Sequence, residues 1–170
     1  SNPFFELKGK TLGIIAMGNI GSRVAQIATV FGMNVVYYST SGTSHCADYP
    51  SLPLDELLAM SDVVSVHAPL NPRTANLITY DKMKLMKPQA YLVNMGRGGI
   101  VNEKDLVEAL NDGVIAGAAL DVFEKEPIGE NHPYLRELKD PSKLIVSPHI
   151  AWASREARKL LIEKLANNIY

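Results

Sequence analysis

Two apolar patterns alternate along the chain. Runs of consecutive apolar residues at 12–16, 35–38, 63–66, 90–93, within 115–122 and at 144–146 predict six short strands. Because these runs are apolar on successive rather than alternate positions, both faces of each strand are predicted to be buried, as in a parallel sheet. Between them, apolar residues recur at helical spacing. Ile20, Val24, Ile27, Ala28 and Phe31 predict a helix that Gly32 ends. Further helices are predicted over 54–60, 80–86 (closed by Pro88), 103–110 and 154–170, the last capped by Ser154. Strand-helix alternation of this kind predicts an α/β fold with a doubly wound parallel sheet. Residues 124–141, rich in Pro, Gly and charge, read as a loop long enough to have a role.

Bulk properties narrow the picture. At 170 residues and 46% hydrophobic, the chain can bury a core without staples. Its formal net charge of −1, with both signs interspersed, excludes bulk attraction to nucleic acid or to an anionic membrane. No apolar run approaches spanning length, and no signal peptide opens the chain. A single cysteine, Cys46, permits no internal disulfide and points to a reducing, cytoplasmic setting. A polar lead enters the first strand directly, and the chain ends inside a predicted helix. Residues 1–170 are therefore expected to be one domain of a larger protein whose other domain lies outside this chain.

The first strand runs into Ala16-Met17-Gly18-Asn19-Ile20-Gly21. This resembles the G-x-G-x-x-G turn of dinucleotide-binding domains, with alanine in place of the first glycine. Gly18 would let the backbone approach a pyrophosphate, and Gly21 would let helix and strand pack closely. The helix starting near Asn19 and Ile20 would present N–H groups and a positive dipole end to the anion. At the exit of the second strand, where a ribose-binding Asp or Glu is usual, stand Tyr38-Ser39-Thr40-Ser41. Ser39 and Thr40 can bond a hydroxyl or a 2′-phosphate, and no Arg follows, so the residues leave NAD against NADP open.

Three polar segments follow later strands: Asn94 through Arg97 to Asn102, Asp121 to Glu126, and Pro148-His149-Ile150-Ala151-Trp152. The carboxyl edge of an open parallel sheet carries the ligand crevice. Arg97, Glu126 and His149 can therefore meet there. Arg97 has the planar fork suited to a carboxylate, His149 can exchange a proton near neutrality, and Glu126 can orient the imidazole.

With these motifs in order, the sequence resembles the cofactor domain of the D-2-hydroxyacid dehydrogenases, a Rossmann fold, over residues 5–170. The segment His67-Ala68-Pro69-Leu70 with Thr74 belongs to the same match. The resemblance implies Arg97 as substrate-binding residue, His149 as catalytic acid and base, and Glu126 as its partner. It also implies Asp121 at the nicotinamide carboxamide, Gly18, Asn19, Ile20 and Gly21 over the pyrophosphate, and Ser39 at the ribose. Ala68, Pro69, Thr74, Met95, Gly96 and Trp152 would line the cofactor beside Arg97 and His149. His149-Ile150-Ala151-Trp152 is similar to glycerate dehydrogenase and hydroxypyruvate reductase members. The implied cofactor is NAD, with NADP not excluded; the implied partners are a small 2-hydroxy or 2-keto acid and a second copy of the chain. Ala16 is expected to crowd the turn or weaken cofactor binding, and the domain alone is expected to bind cofactor without turnover. The competing reading is a non-catalytic, nucleotide-responsive dimeric module on the same fold, similar to corepressors.

Overall fold

The computed structural model describes residues 5–43 and 46–167. Six strands, β1 (Thr11–Ile15), β2 (Asn34–Tyr38), β3 (Val63–Val66), β4 (Tyr91–Asn94), β5 (Gly117–Leu120) and β6 (Leu144–Val146), form one parallel sheet in the order β2-β1-β3-β4-β5-β6. Six helices accompany them: α1 (Asn19–Val30), α2 (Leu54–Met60), α3 (Tyr80–Met83), α4 (Glu103–Asn111), α5 (Pro133–Arg136) and α6 (Arg155–Asn167). Strand order reverses at β1, whose neighbours are β2 on one side and β3 on the other. That is the switch point at which open α/β sheets bind ligands.

Register brings the strand ends into one row. Ile15 pairs with Tyr38 and with Val66, Val66 with Asn94, Asn94 with Leu120, and Leu120 with Val146. Every loop that follows a strand therefore leaves from the same edge.

The consecutive apolar runs have the predicted consequence. Ile14, Val35 and Tyr37 pack with Ala25 and Ala28 of α1, while their neighbours Ile15 and Val36 join Leu57, Met83, Leu92, Leu106 and Leu110 on the opposite face. The exception is β6, an edge strand whose Ile145 and Val146 stay exposed.

α1 buries a different face from the one its large residues suggest. Gly21, Ala25 and Ala28 face the sheet, whereas Ile20, Ile27 and Phe31 are more than half exposed. The reason is distance: a Cβ on Gly21 would overlap the carbonyl oxygen of Ala16, so only small residues fit beneath the helix. The helix expected over 80–86 ends at Met83, beyond which the Leu85 and Met86 N–H groups bond three residues back, to Lys82 O and Met83 O, in tighter turns. The loop expected over 124–141 contains α5, started by Pro133 with a His132 cap. The helix expected over 154–170 is α6; Ser154 Oγ accepts the Ala157 N–H at 3.1 Å, and residues 168–170 lie outside the described residues.

Candidate functional site

The phosphate turn keeps the backbone of its fingerprint despite the alanine. Ala16 takes φ +73°, the left-handed region that glycine occupies freely. Its N–H donates to Tyr38 O at 3.0 Å, which anchors the turn to β2. Gly18 caps α1, and the first intrahelical bond runs from Ser22 N–H to Gly18 O at 2.9 Å. The amides of Asn19, Ile20 and Gly21 precede that bond and belong to the helix start, where an anion is favoured.

A cavity of about 250 Å³ joins this turn to the β2 exit, lined by Ala16, Gly18, Ser39, Thr40, His67 and Pro69 among others. Burial holds the His67 imidazole below its ordinary range, so the ring is neutral. His67 Nε2 lies 2.9 Å from Ser65 Oγ, while its buried Nδ1 has no partner among the described residues. A buried polar atom without a partner is costly. A cavity between a helix N-terminus and the Ser39 and Thr40 hydroxyls, with His67 in its lining, fits the sugar and phosphate groups of a dinucleotide. His67 stands in a recognised segment, yet only the fold gives it this place.

Ala68 and Gly96 are buried, and Pro69 and Met95 are exposed at the same edge. Thr74 is fully buried; its hydroxyl donates to Pro69 O at 2.6 Å and accepts the Asn71 N–H at 2.9 Å. It shapes the loop after β3 rather than presenting its own oxygen at the surface.

At the other end of the edge, His149 Nδ1 and Glu126 Oε2 lie 2.7 Å apart, and Glu126 Oε1 accepts the Phe123 N–H at 3.0 Å. The bond from His149, then that from Phe123, hold the Glu126 carboxyl below its ordinary value. Glu126 is thus a carboxylate at neutral pH with both oxygens engaged. His149 has φ +52°, and its N–H donates to Ser147 O at 3.0 Å.

Asp121, buried directly after β5, fixes that loop. Its Oδ1 accepts Ser147 Oγ–H at 2.5 Å and Ile150 N–H at 2.9 Å, and its Oδ2 accepts Ala151 N–H at 2.9 Å. Burial opposes its charge, but the bonds from Ser147, Ala151 and Ile150 outweigh it and keep the carboxyl below its ordinary value.

Arg97 stands three residues beyond β4 with an exposed side chain, and its Nη1 donates to Gly96 O at 2.8 Å. Among the described residues it makes no hydrogen bond to Glu126 or His149. Backbone packing connects the loops instead, since a Cβ on Gly98 would overlap the Phe123 carbonyl. Buried Asn94 braces the Arg97 loop, donating to Arg97 O at 3.0 Å and accepting the Gly96 N–H at 3.0 Å. Asn94, Gly98, Ser147 and Phe123 are the supports that sequence reasoning missed; only their positions just after predicted strands hinted at them. Trp152 is half exposed beyond the His149 loop. A cavity of about 350 Å³, lined by Phe123, Glu126, Pro127, Ile128, Ser147 and His149 among others, opens beside the pair.

A doubly wound parallel sheet with a glycine turn at its switch point and a His-Glu pair at the same edge defines a dinucleotide-binding domain. The family model described as D-isomer specific 2-hydroxyacid dehydrogenase, NAD binding domain, matches residues 1–151, and the chain belongs to that family. It is 48% identical over 169 residues to a glyoxylate reductase of Aeropyrum pernix, covering 96% of this chain and 49% of that protein. It is 39% identical over 167 residues to a glycerate dehydrogenase of Methylorubrum extorquens, covering 98% and 51%. The structure of D-lactate dehydrogenase from Aquifex aeolicus, complexed with NAD and lactic acid, superposes with a TM-score of 0.87 at 32% identity, over 97% of this chain and 54% of that one. The chain thus spans about half the length of the curated relatives it matches. The expected Rossmann-type fold, dehydrogenase family and nicotinamide cofactor all stand. No helix among the described residues is long and apolar enough to cross a membrane.

Proposed function

We propose that the protein carrying this chain is an oxidoreductase that interconverts a small 2-keto acid and the D-2-hydroxy acid. The observation that carries this reading is the 2.7 Å contact between His149 Nδ1 and Glu126 Oε2 on the edge that also bears Arg97 and the phosphate turn. A nucleotide-responsive binding module has no need of such a pair.

When bound, a nicotinamide dinucleotide would supply the hydride chemistry of this site. Gly18, Asn19, Ile20 and Gly21 hold its pyrophosphate, Ser39 and His67 its adenosine ribose, and Ala68, Pro69, Met95, Gly96 and Trp152 its flanks. Arg97 clamps the substrate carboxylate with its guanidinium fork. With Nδ1 on Glu126, His149 exchanges a proton with the substrate oxygen through Nε2. In reduction of C=O to CH–OH, His149 would give the oxygen its proton, the carbon receiving the hydride that a reduced nicotinamide would supply. Glu126 orients the ring, while Asp121 and Thr74 act by holding the loops. The substrate class is shared with the relatives named above; which acid is taken depends on parts of the protein outside this chain.

A second copy of the chain fits the outward face of α1, where Ile20, Ile27, Val30 and Phe31 are exposed. An apolar area of this kind marks an interface. The single cysteine supports a reducing, cytoplasmic setting.

The test is His149→Ala in the full-length protein. Turnover of glyoxylate or hydroxypyruvate should fall by about 10²–10⁴-fold, the usual share of general acid-base catalysis, with cofactor Kd nearly unchanged. Undiminished turnover would refute the mechanism.

A further inference from the structure

The β2 exit lacks a carboxylate, and the fold brings a cation to it. Arg73, in the loop after β3, donates from Nη1 to Ser41 O at 3.3 Å, across 32 positions of sequence. Two features fix its approach. The Arg73 N–H donates to Asn71 Oδ1 at 2.9 Å, and buried Thr74 ties the same loop to Pro69. On the opposite side, the 39–43 turn is held by Ser39 Oγ–H donating to Thr43 O at 2.5 Å and by the 3.0 Å contact of Ser39 and Ser41 hydroxyls.

Between these loops lies a cavity of about 460 Å³, lined by Ser39, Thr40, Gly42, Ser51 and Arg73 among others. It shares Ser39 and Thr40 with the smaller cavity on the phosphate turn. Arg73 is the one charged residue in its lining among the described residues, and Arg73 forms no ion pair among them. The bond to Ser41 engages one of five guanidinium N–H groups.

We infer that Arg73, with the hydroxyls of Ser39 and Thr40, receives the phosphate on the 2′-oxygen of the adenosine ribose, so that the protein favours NADPH over NADH. Discrimination for NAD rests on an acidic residue at this position, which accepts the ribose hydroxyls and repels a phosphate. Here that repulsion is absent and an arginine stands in its place. A phosphate dianion gains charge-assisted bonds from a guanidinium, while an unphosphorylated ribose leaves the cation without a counter-charge. The inference rests on the dinucleotide-site reading above.

The test is titration of the full-length protein with NADPH and with NADH, followed by protein-to-nicotinamide fluorescence transfer, with 2′,5′-ADP and 5′-AMP as competitors. One charge-assisted contact is worth roughly tenfold or more in affinity. NADPH should bind at least about tenfold tighter than NADH, and 2′,5′-ADP should compete better than 5′-AMP by a similar factor. Arg73→Gln should lower NADPH affinity by about tenfold while NADH changes less than about twofold. Ser39→Asp should reverse the preference without touching Arg73. Equal wild-type affinities, tighter NADH binding, or equal loss of both cofactors in Arg73→Gln would overturn the role of Arg73. Failure of the wild type to bind either cofactor would overturn the dinucleotide site itself.

Discussion

Asp121, at the end of β5, holds the amide of Ala151 at 2.9 Å and so fixes the loop that presents His149. The same carboxylate takes Ile150 N–H and Ser147 Oγ–H, which leaves the loop little freedom beside the sheet edge. An asparagine would turn an NH₂ toward one of these donors. Asp121→Asn should lower stability by about 1–3 kcal/mol, the cost of a lost buried partner, and reduce kcat by about tenfold. A melt and steady-state kinetics on the full-length protein check both. A kcat that stays level while Tm falls would show that the loop does not need this anchor for chemistry. Because the Asp121 carboxyl is held below its ordinary value, this stabilisation is present above the unfolded value of 3.8 and is lost as pH falls through the lower folded value.

Glu126 isolates charge from geometry. Glu126→Gln can still accept a bond from His149 but removes the negative charge beside the ring. A fall in kcat of about 10–100-fold, with cofactor Kd unchanged, is expected if the charge matters beyond orientation. Since the His149 and Phe123 bonds hold the carboxyl below its ordinary value, Glu126 stays ionised at every pH above 4.5. Glu126 itself is therefore not the group that titrates in any acid limb of kcat/KM above that pH.

His67 makes a pH prediction for the stability of the fold. Burial lowers its value from 6.5, so the unfolded chain binds the proton more readily than the folded one. The sign follows from linkage: stability is whole above pH 6.5 and declines as pH falls from there toward the lower folded value. Denaturant melts from pH 7.5 to 5 should show this decline, and His67→Gln should flatten it. A slope unchanged in the variant would assign the decline to other groups. Saturating cofactor should also protect the wild type against it if the ligand engages the unpartnered Nδ1.

Three glycine substitutions separate ligand space from packing space. A Cβ on Gly18 meets nothing, so Gly18→Ala should leave Tm nearly unchanged yet weaken cofactor Kd by about tenfold through crowding of the pyrophosphate. Gly98→Ala should cost about 1–3 kcal/mol, because its Cβ overlaps the Phe123 carbonyl and pushes the Arg97 and Glu126 loops apart. Gly129→Ala, also in open space, is the neutral control. Calorimetry and cofactor titration together check the set. A Gly18→Ala protein that binds cofactor normally would remove the phosphate-turn assignment.

Strand runs such as 63–66 and the glycine turn after β1 were legible because their cause is local: consecutive apolar residues need two buried faces, and Gly18 stands where a helix begins. The His149–Glu126 contact was legible as a pairing because both residues follow strands of one parallel sheet. The face of α1 was not, because the close approach at Gly21 admits only small residues and turns the large ones outward. Ala16 illustrates both levels. The sequence shows a missing glycine, while the structure shows alanine holding the same left-handed backbone at a cost of about 1–2 kcal/mol, tied to Tyr38.

By itself the sequence determined the sheet, the phosphate turn and the residue types at its carboxyl edge, since apolar period and turn chemistry act over a few residues. Only the tertiary structure decided which polar groups meet. Asp121 became the anchor of the His149 loop, His67 came to line the cavity at the phosphate turn, and Arg73 came to a strand exit that sequence order leaves without a cation. These contacts are set by strand order and by loops converging on one edge, and no local pattern records them.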